Sequence, residues 1–180
     1  MQQEFSIELE LKAFFLRPDT PPEGIPRKGG GGEVQEPLAT YAREAGLTMR
    51  RAPVSPSTWL AHEATEFAKE QGSQVALHKA LYTAYWADGK NIGDMQVLLE
   101  LAQQAGLDAS AMEQALKEQR HKTQVWQQFE EAQSLGVNGV PAFVVGRYLF
   151  TGAQPYPLFQ RVAKLALGEM ELPHSELPQA

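Results

Sequence analysis

The most informative chemical feature of this sequence is a residue type that it lacks. None of its 180 residues is a cysteine. Disulfide exchange, thiolate catalysis and thiolate metal sites all need a thiolate, so the chain as given cannot perform any of them. Any catalysis by these residues would have to rely on a nucleophile or base of another type.

The histidines are the next candidates for chemistry, and their positions favour structural roles. His62 lies near the predicted start of an amphipathic helix, and no partner nucleophile can be named for it, so we interpret it as a hydrogen-bonding residue rather than a base. His78, His121 and His174 have no metal-binding spacing with one another or with carboxylates. No metal site is therefore predicted.

Other polar and aromatic residues also have a structural interpretation. Ser55 and Ser57 flank a proline before a helix, which favours capping over nucleophilic catalysis. Glu130 and Glu131 are predicted to lie on a solvated helix face. Five aromatic residues have the helical spacing typical of a core, and a hydrophobic ligand groove is the alternative that we keep for them. They are Trp59, Tyr82, Tyr85, Trp86 and Trp126.

Composition and charge narrow the class of protein. The chain has 16 Lys and Arg against 22 Asp and Glu, a formal net charge of -6, which does not fit the basic footprint of a nucleic-acid-binding protein. No apolar run is long enough to cross a bilayer, and residues 1–5 lack the pattern of a signal peptide. We expect one cytoplasmic domain with no nucleic-acid or membrane partner.

The chain begins with an alternating pattern and a loop. Phe5, Ile7, Leu9 and Leu11 alternate with polar residues, which predicts a strand over residues 5–15 with one buried face. The prolines and glycines that follow, up to the run at residues 29–32, predict a long mobile loop that holds neither a helix nor a ladder. The four glycines lack the spacing of a phosphate-binding loop.

The middle of the chain is predicted to be helical. Apolar stripes indicate six helices, of which the first begins near Pro37, and Ser73, Asp94 and Asp108 are candidate N-caps. Leu81 and Leu98 fall on the stripes and should be buried. The predicted helix ends are glycines: Gly46, Gly72, Gly89, Gly106 and Gly136.

The last part of the chain predicts a hairpin and a helix. Strands are expected at residues 142–145 and 148–151, joined by a turn at Gly146 and Arg147. Pro155 and Pro157 introduce a last helix, which Gly168 ends. Pro141 stands at the start of the first strand, where a residue without an N–H group is tolerated.

These elements carry a resemblance to a known family. The stretch GVNGVPAFVVGRYLFTGAQ at residues 136–154, LRPDTPPEG at residues 16–24, and Thr58 to His62 at the start of the helical segment resemble the DsbA-like branch of the thioredoxin-fold proteins. The FrnE-like members and the 2-hydroxychromene-2-carboxylate isomerases are the most similar in pattern. The resemblance extends over nearly all of residues 5–167.

The resemblance implies a fold and a binding loop. It implies an α/β thioredoxin-like domain over residues 1–167, with residues 5–15 and 137–167 as the thioredoxin part, 36–135 as a helical insertion and 168–180 as a tail. It also implies a cis peptide bond between Val140 and Pro141. The substrate-binding residues that it implies are Gly139, Val140, Pro141, Gln154 and His62, with no catalytic residue and no metal.

The family's first strand and first helix have no counterpart before Met1, and we expect an upstream extension or a partner chain to supply them.

Whether the chain is an enzyme stays open, because the family is one of protein disulfide oxidoreductases and the thiol is missing. The expected partner is a protein thiol substrate or a small thiol ligand, with no cofactor, and a homodimer is compatible. One alternative is a glutathione-dependent isomerase or transferase that binds glutathione along the same loop. Another is a protein that retains only the binding groove.

Overall fold

The computed structural model describes Met1 and residues 4–170, in two compact units. The helical unit is Arg17–Phe129, and the hairpin unit combines the described residues of the ranges Met1–Leu16 and Glu130–Ala180. The α/β thioredoxin-like fold class is confirmed. The finer division into a thioredoxin part and an insertion stays a prediction, and the predicted tail lies outside the described residues from residue 171 onward.

The helical unit consists mainly of short helices. Two small antiparallel ladders each pair a strand before the first helix with one after it, β1 (Ile25–Pro26) with β4 (Val54–Ser55) and β2 (Gly32–Glu33) with β3 (Arg50–Arg51). The helices are α1 (Leu38–Glu44), α2 (Trp59–Glu70), α3 (Gln74–Tyr82) with a π-helical turn (Thr83–Ala87), α4 (Met95–Gln104), α5 (Ala109–Lys117) and α6 (Lys122–Ser134). The part of α6 from Glu130 onward belongs to the hairpin unit. No helix among the described residues is long and apolar enough to cross a membrane.

The two ladders correct the prediction that the proline- and glycine-rich segment could hold none. Gly32 pairs with Arg51, and Ile25 pairs with Ser55. A Cβ atom on Gly31 would lie 2.6 Å from the carbonyl oxygen of Arg51. Glycine therefore permits the close backbone approach there, and the partner strand, distant in sequence, supplies the hydrogen bonds that a local pattern cannot reveal.

Side-chain caps fix the starts of two helices as predicted. Asp94 Oδ1 accepts hydrogen bonds from the backbone N–H groups of Gln96 at 2.8 Å and Val97 at 3.4 Å. Asp108 Oδ1 accepts one from Ala111 at 3.0 Å. Ser73 does precede α3, but its hydroxyl makes no capping hydrogen bond. The sequence thus identified the starts of all three helices, but only Asp94 and Asp108 make capping hydrogen bonds.

The core of the helical unit lies where the apolar stripes of its helices meet. Leu81 is 5% exposed and Leu98 is 0% exposed, so the prediction that both are buried is confirmed. Among the described residues, the largest side chains that are fully buried belong to this unit: Leu77, Leu98, Met112, Leu116 and Val125.

The hairpin unit contains the predicted hairpin and last helix. β5 (Ala142–Val145) pairs antiparallel with β6 (Tyr148–Thr151), with Ala142 opposite Thr151, and α7 is Tyr156–Ala166. The rings of Phe143 and Phe150 stack at 5.2 Å, and Phe159 of α7 meets them edge-on at 4.8 and 5.1 Å. These three rings fix the hairpin against the helix.

The predicted strand at residues 5–15 was wrong. These residues belong to none of the strand pairs that the structure describes. Ala13 and Phe15 are buried at 6% and 3% exposure, whereas Leu9 is 55% exposed. The alternation of apolar and polar residues predicts that one face of an extended segment is buried. A strand must also pair with a neighbouring strand, and the pattern of a single segment cannot predict that pairing.

Candidate functional site

The segment that leads into the hairpin places the predicted substrate-facing loop at the surface. α6 ends at Ser134, and Gly136 follows it with a φ of 81° before the chain reaches Gly139. The Val140–Pro141 peptide bond is cis, which confirms the prediction. Val140 is 51% exposed and Pro141 is exposed as well.

The backbone of this loop offers free hydrogen-bonding groups. The carbonyl oxygen of Pro141 accepts a bond from Gly152 N–H at 2.8 Å, which continues the hairpin one step past Ala142. One step further out, no hydrogen bond within the described residues uses the backbone N–H or C=O of Gly139 or Val140. An extended chain laid beside this loop could pair with these groups.

Gln154 lies at the same end of the hairpin. Its Nε2 donates a hydrogen bond to the carbonyl oxygen of Thr151 at 2.7 Å, and Thr151 pairs with Ala142 across the ladder. The side chain is exposed, and one of its amide hydrogens is used in this contact. Gly139, Val140, Pro141 and Gln154 therefore gather at the open end of the hairpin.

His62 belongs to the helical unit, on the first turns of α2. It is half-buried, and its backbone N–H donates to the carbonyl oxygen of Thr58 at 3.0 Å. Its role in substrate binding stays a prediction, as do the roles of the four hairpin residues. Among the described residues there is no group of three or more His, Asp or Glu that could hold a metal ion.

The sequence interpretation missed a buried carboxylate, Glu63. This residue is 3% exposed, and its Oε2 has no hydrogen-bond partner among the described residues. Burial raises the pKa of Glu63, while the charges of His121 and Lys122 and the His121 backbone N–H act to lower it. The signal in the sequence was an acidic residue on the same face of α2 as buried Phe67, between the buried Ala61 and Ala64.

Glu63 lines an open cleft of about 490 Å³ within the helical unit. The other lining residues are Thr20, Pro22, Ser57, Trp59, Leu60, Gly93, Gln119 and Lys122. Trp59 is thus the member of the predicted aromatic set that lines this cleft. Tyr82, by contrast, is 56% exposed on α3, and Tyr85 and Trp86 meet edge-on at 4.9 Å.

A second buried acid on α2 differs from Glu63 because both of its carboxylate oxygens accept hydrogen bonds. Glu66 is 3% exposed, and its two carboxylate oxygens accept hydrogen bonds from Gln124 Nε2 at 2.7 Å and Gln128 Nε2 at 3.0 Å. These bonds join α2 to α6 and account for the burial of Glu66. They leave Glu63 as the acid of this face that has an open acceptor.

Comparison with known proteins adds a family. A sequence model of the DSBA-like thioredoxin domain matches residues 1–164. The uncharacterized protein YwbO of Bacillus subtilis (strain 168) is 27% identical over 160 residues, which cover 86% of this chain and 80% of that protein.

Two solved structures are similar. The crystal structure of a probable DsbA oxidoreductase from Streptomyces coelicolor matches with a TM-score of 0.74 and 28% identity, over 89% of this chain and 76% of that one. A 2-hydroxychromene-2-carboxylate isomerase matches with a TM-score of 0.64 and 17% identity, over 74% of this chain and 68% of that one, and this likeness concerns the fold alone. The hairpin with its cis Val140–Pro141 bond, and the family match over residues 1–164, lead to one conclusion: this chain belongs to the DsbA-like thioredoxin domain family.

Proposed function

We propose that this chain binds extended polypeptide segments through the backbone of Gly139 and Val140, and that its own residues do not exchange disulfides. The observation that carries the proposal is the exposed loop whose backbone groups have no partner among the described residues. Its second half follows from the chemistry of exchange, which needs an attacking thiolate that a chain without cysteine cannot provide.

The geometry favours an extended partner over a compact one. Pro141 has no N–H group, so the ladder on this edge begins with its carbonyl oxygen, and the free groups of Gly139 and Val140 come directly before it. Pairing with a backbone depends little on side chains, so such a loop suits unfolded segments of varied sequence. The exposed Val140 side chain adds apolar contact with the bound segment.

The similar Streptomyces protein is called a probable DsbA oxidoreductase, and this supports a protein substrate for the present chain. A small thiol such as glutathione is the alternative occupant of the loop. Both would use the same backbone groups, so competition between them distinguishes the two.

The binding test compares two substitutions at one position. The probe is reduced and carboxymethylated α-lactalbumin, an unfolded chain with blocked thiols. Val140→Pro removes the backbone N–H group. Val140→Ala keeps this group and only shortens the exposed side chain. Loss of one hydrogen bond of about 1 kcal/mol should weaken binding about fivefold in Val140→Pro, and Val140→Ala should stay within about twofold of the wild type.

Equal affinities of the two variants would contradict binding through this backbone. Thermal unfolding of both proteins must first show that each is folded. Displacement of the probe by reduced glutathione at stoichiometric concentration would instead favour the small-thiol alternative.

The redox half of the proposal is tested by reduction of insulin with dithiothreitol. The protein should leave the rate at that of the uncatalysed control, because it contributes no thiolate. Acceleration by protein free of contaminating oxidoreductases would contradict the proposal.

A further inference from the structure

Glu63 lines the cleft of the helical unit, and its buried Oε2 atom is an unusual acceptor. A buried polar atom normally has a partner, because burial removes the water that it would otherwise bind. Oε2 has none among the described residues, although its side chain is 97% removed from solvent, being 3% exposed. A ligand that donates a hydrogen bond would supply what the protein does not.

A basic residue, Lys122, also lines this cleft. It is exposed at the start of α6 and donates from Nζ to Gln119 Oε1 at 3.1 Å. This contact uses one of the three hydrogens of the ammonium group, so two remain for a ligand. The cleft therefore combines a buried acid with an exposed base, a pair that complements a molecule with one positive and one negative group.

The walls between these two charges are largely apolar and held in place. Pro22, Trp59 and Leu60 line the cleft. Trp59 Nε1 donates to the carbonyl oxygen of Pro18 at 3.2 Å, and its ring stacks on that of Trp126 at 5.8 Å. Both contacts fix the indole before any ligand arrives, which lowers the entropy cost of binding.

We propose that this cleft binds a free amino acid with an apolar side chain. The ammonium group pairs with the carboxylate of Glu63, the carboxylate of the ligand meets Lys122, and its side chain packs on Trp59 and Leu60. A volume of about 490 Å³ is ample for such a molecule. This site lies within the helical unit and does not depend on the function proposed for the Val140 loop.

Ionisation of Glu63 sets the expected pH dependence. Its pKa is raised by burial, and the groups that act to lower it are His121, just before α6, and Lys122 at the start of α6. The lining residues from the other segments, Thr20, Pro22, Ser57 and Gly93, carry no charge. An ammonium ligand prefers the ionised carboxylate, so affinity should fall as the pH is lowered through the pKa of Glu63.

Three related compounds separate the two charges in the experiment. L-phenylalanine carries both, phenethylamine carries only the ammonium group, and N-acetyl-L-phenylalanine carries only the carboxylate. Binding of each to the full chain is measured by isothermal titration calorimetry. The variants are Glu63→Gln and Lys122→Gln, with Glu44→Gln and Lys79→Gln as exposed controls outside the cleft.

The two variants should affect different compounds. Glu63→Gln should weaken L-phenylalanine and phenethylamine at least about tenfold and leave N-acetyl-L-phenylalanine unchanged. Lys122→Gln should weaken the two carboxylates and change phenethylamine much less, because Lys122 affects the ammonium group only through its charge near Glu63. The controls should bind as the wild type does.

Either of two results would overturn the proposal. One is the absence of saturable heat for L-phenylalanine up to about 10 mM, which would exclude a Kd of about 1 mM or below. The other is binding that neither Glu63→Gln nor Lys122→Gln alters. If Glu63→Gln fails to fold, the Lys122→Gln variant still tests the proposal, because Lys122 is exposed. General damage to the fold would weaken phenethylamine and N-acetyl-L-phenylalanine alike, so a selective loss of the carboxylate compound cannot come from misfolding.

Discussion

The helical unit and the hairpin unit bury their apolar residues to different extents. In the helical unit, Leu77, Leu98 and Met112 are 0% exposed in one continuous core. In the hairpin unit, Val144 and Leu149 of the hairpin are 55% and 41% exposed. From this difference we expect the helices to supply most of the stability, while the hairpin carries the proposed binding loop.

This comparison also explains where each proposed site lies. Backbone N–H and C=O groups are available to a partner only where hydrogen bonds within the protein do not use them, as at Gly139 and Val140 among the described residues. Glu63 lies in the opposite environment, where packed helices bury its side chain at the wall of the cleft. Substitutions in the two units should therefore have distinguishable effects on stability.

The largest expected effect is in the core of the helical unit. Leu98→Ala and Leu81→Ala should each lower the free energy of unfolding by about 2–5 kcal/mol, because each leaves a cavity among packed side chains. Leu47→Ala, at a side chain that is 61% exposed, is the control. Urea unfolding measures all three. A loss below about 1 kcal/mol at both core positions would show that this unit is not the stable one.

A smaller effect is expected in the hairpin unit. Phe159→Leu removes the ring that meets Phe143 and Phe150 edge-on and should cost about 1–2 kcal/mol. Tyr148→Leu removes a ring from the same hairpin outside this cluster and serves as the control. Hydrogen exchange of the β5 and β6 amides measures the local effect. Equal losses in the two variants would argue against a stabilising role of the ring cluster.

Two candidate helix caps allow a matched comparison. Asp94→Ala should destabilise the protein by about 1 kcal/mol, because the carboxylate accepts two backbone N–H groups of α4. Ser73→Ala should cost much less, because its hydroxyl makes no capping bond. Thermal unfolding of both variants decides. A larger loss for Ser73→Ala than for Asp94→Ala would contradict the observed geometry.

A pH dependence should follow from Glu63. Its folded-state pKa is raised above 4.5, so the folded state binds the proton more tightly than the unfolded state does. Its contribution to stability is therefore lost as the pH rises from 4.5 through the raised pKa. Urea unfolding of the wild type and Glu63→Gln across this range should show the variant gaining relative stability with increasing pH. A constant difference between them would contradict the raised pKa.

Local signals in the sequence were sufficient for much of the fold. The hairpin was predicted with its turn at Gly146 and Arg147, and the structure pairs Val145 with Tyr148 on either side of it. Asp94 was identified as a cap for the same reason, because capping depends on a few adjacent residues. Such features can be predicted since their causes lie within one segment.

Features that depend on two distant segments were missed. The strand predicted at residues 5–15 has no place in the described ladders, and the ladder of Gly32 with Arg51 was unforeseen. Glu63 was not singled out because its burial depends on the start of α6, far along the chain. The loop residues Gly139 to Pro141 came from the family resemblance, since their free backbone groups have no signature in residue type.

The most direct test of the proposed function is the hydrogen exchange of the Gly139 and Val140 amides. It is measured by NMR in the free protein and in the presence of saturating carboxymethylated α-lactalbumin. If the bound segment pairs with this backbone, exchange of at least one of the two amides should slow when the unfolded chain binds, while the amides of the α2 to α4 core stay as they were. Unchanged exchange at both amides, with new protection elsewhere on the protein, would contradict binding through this loop.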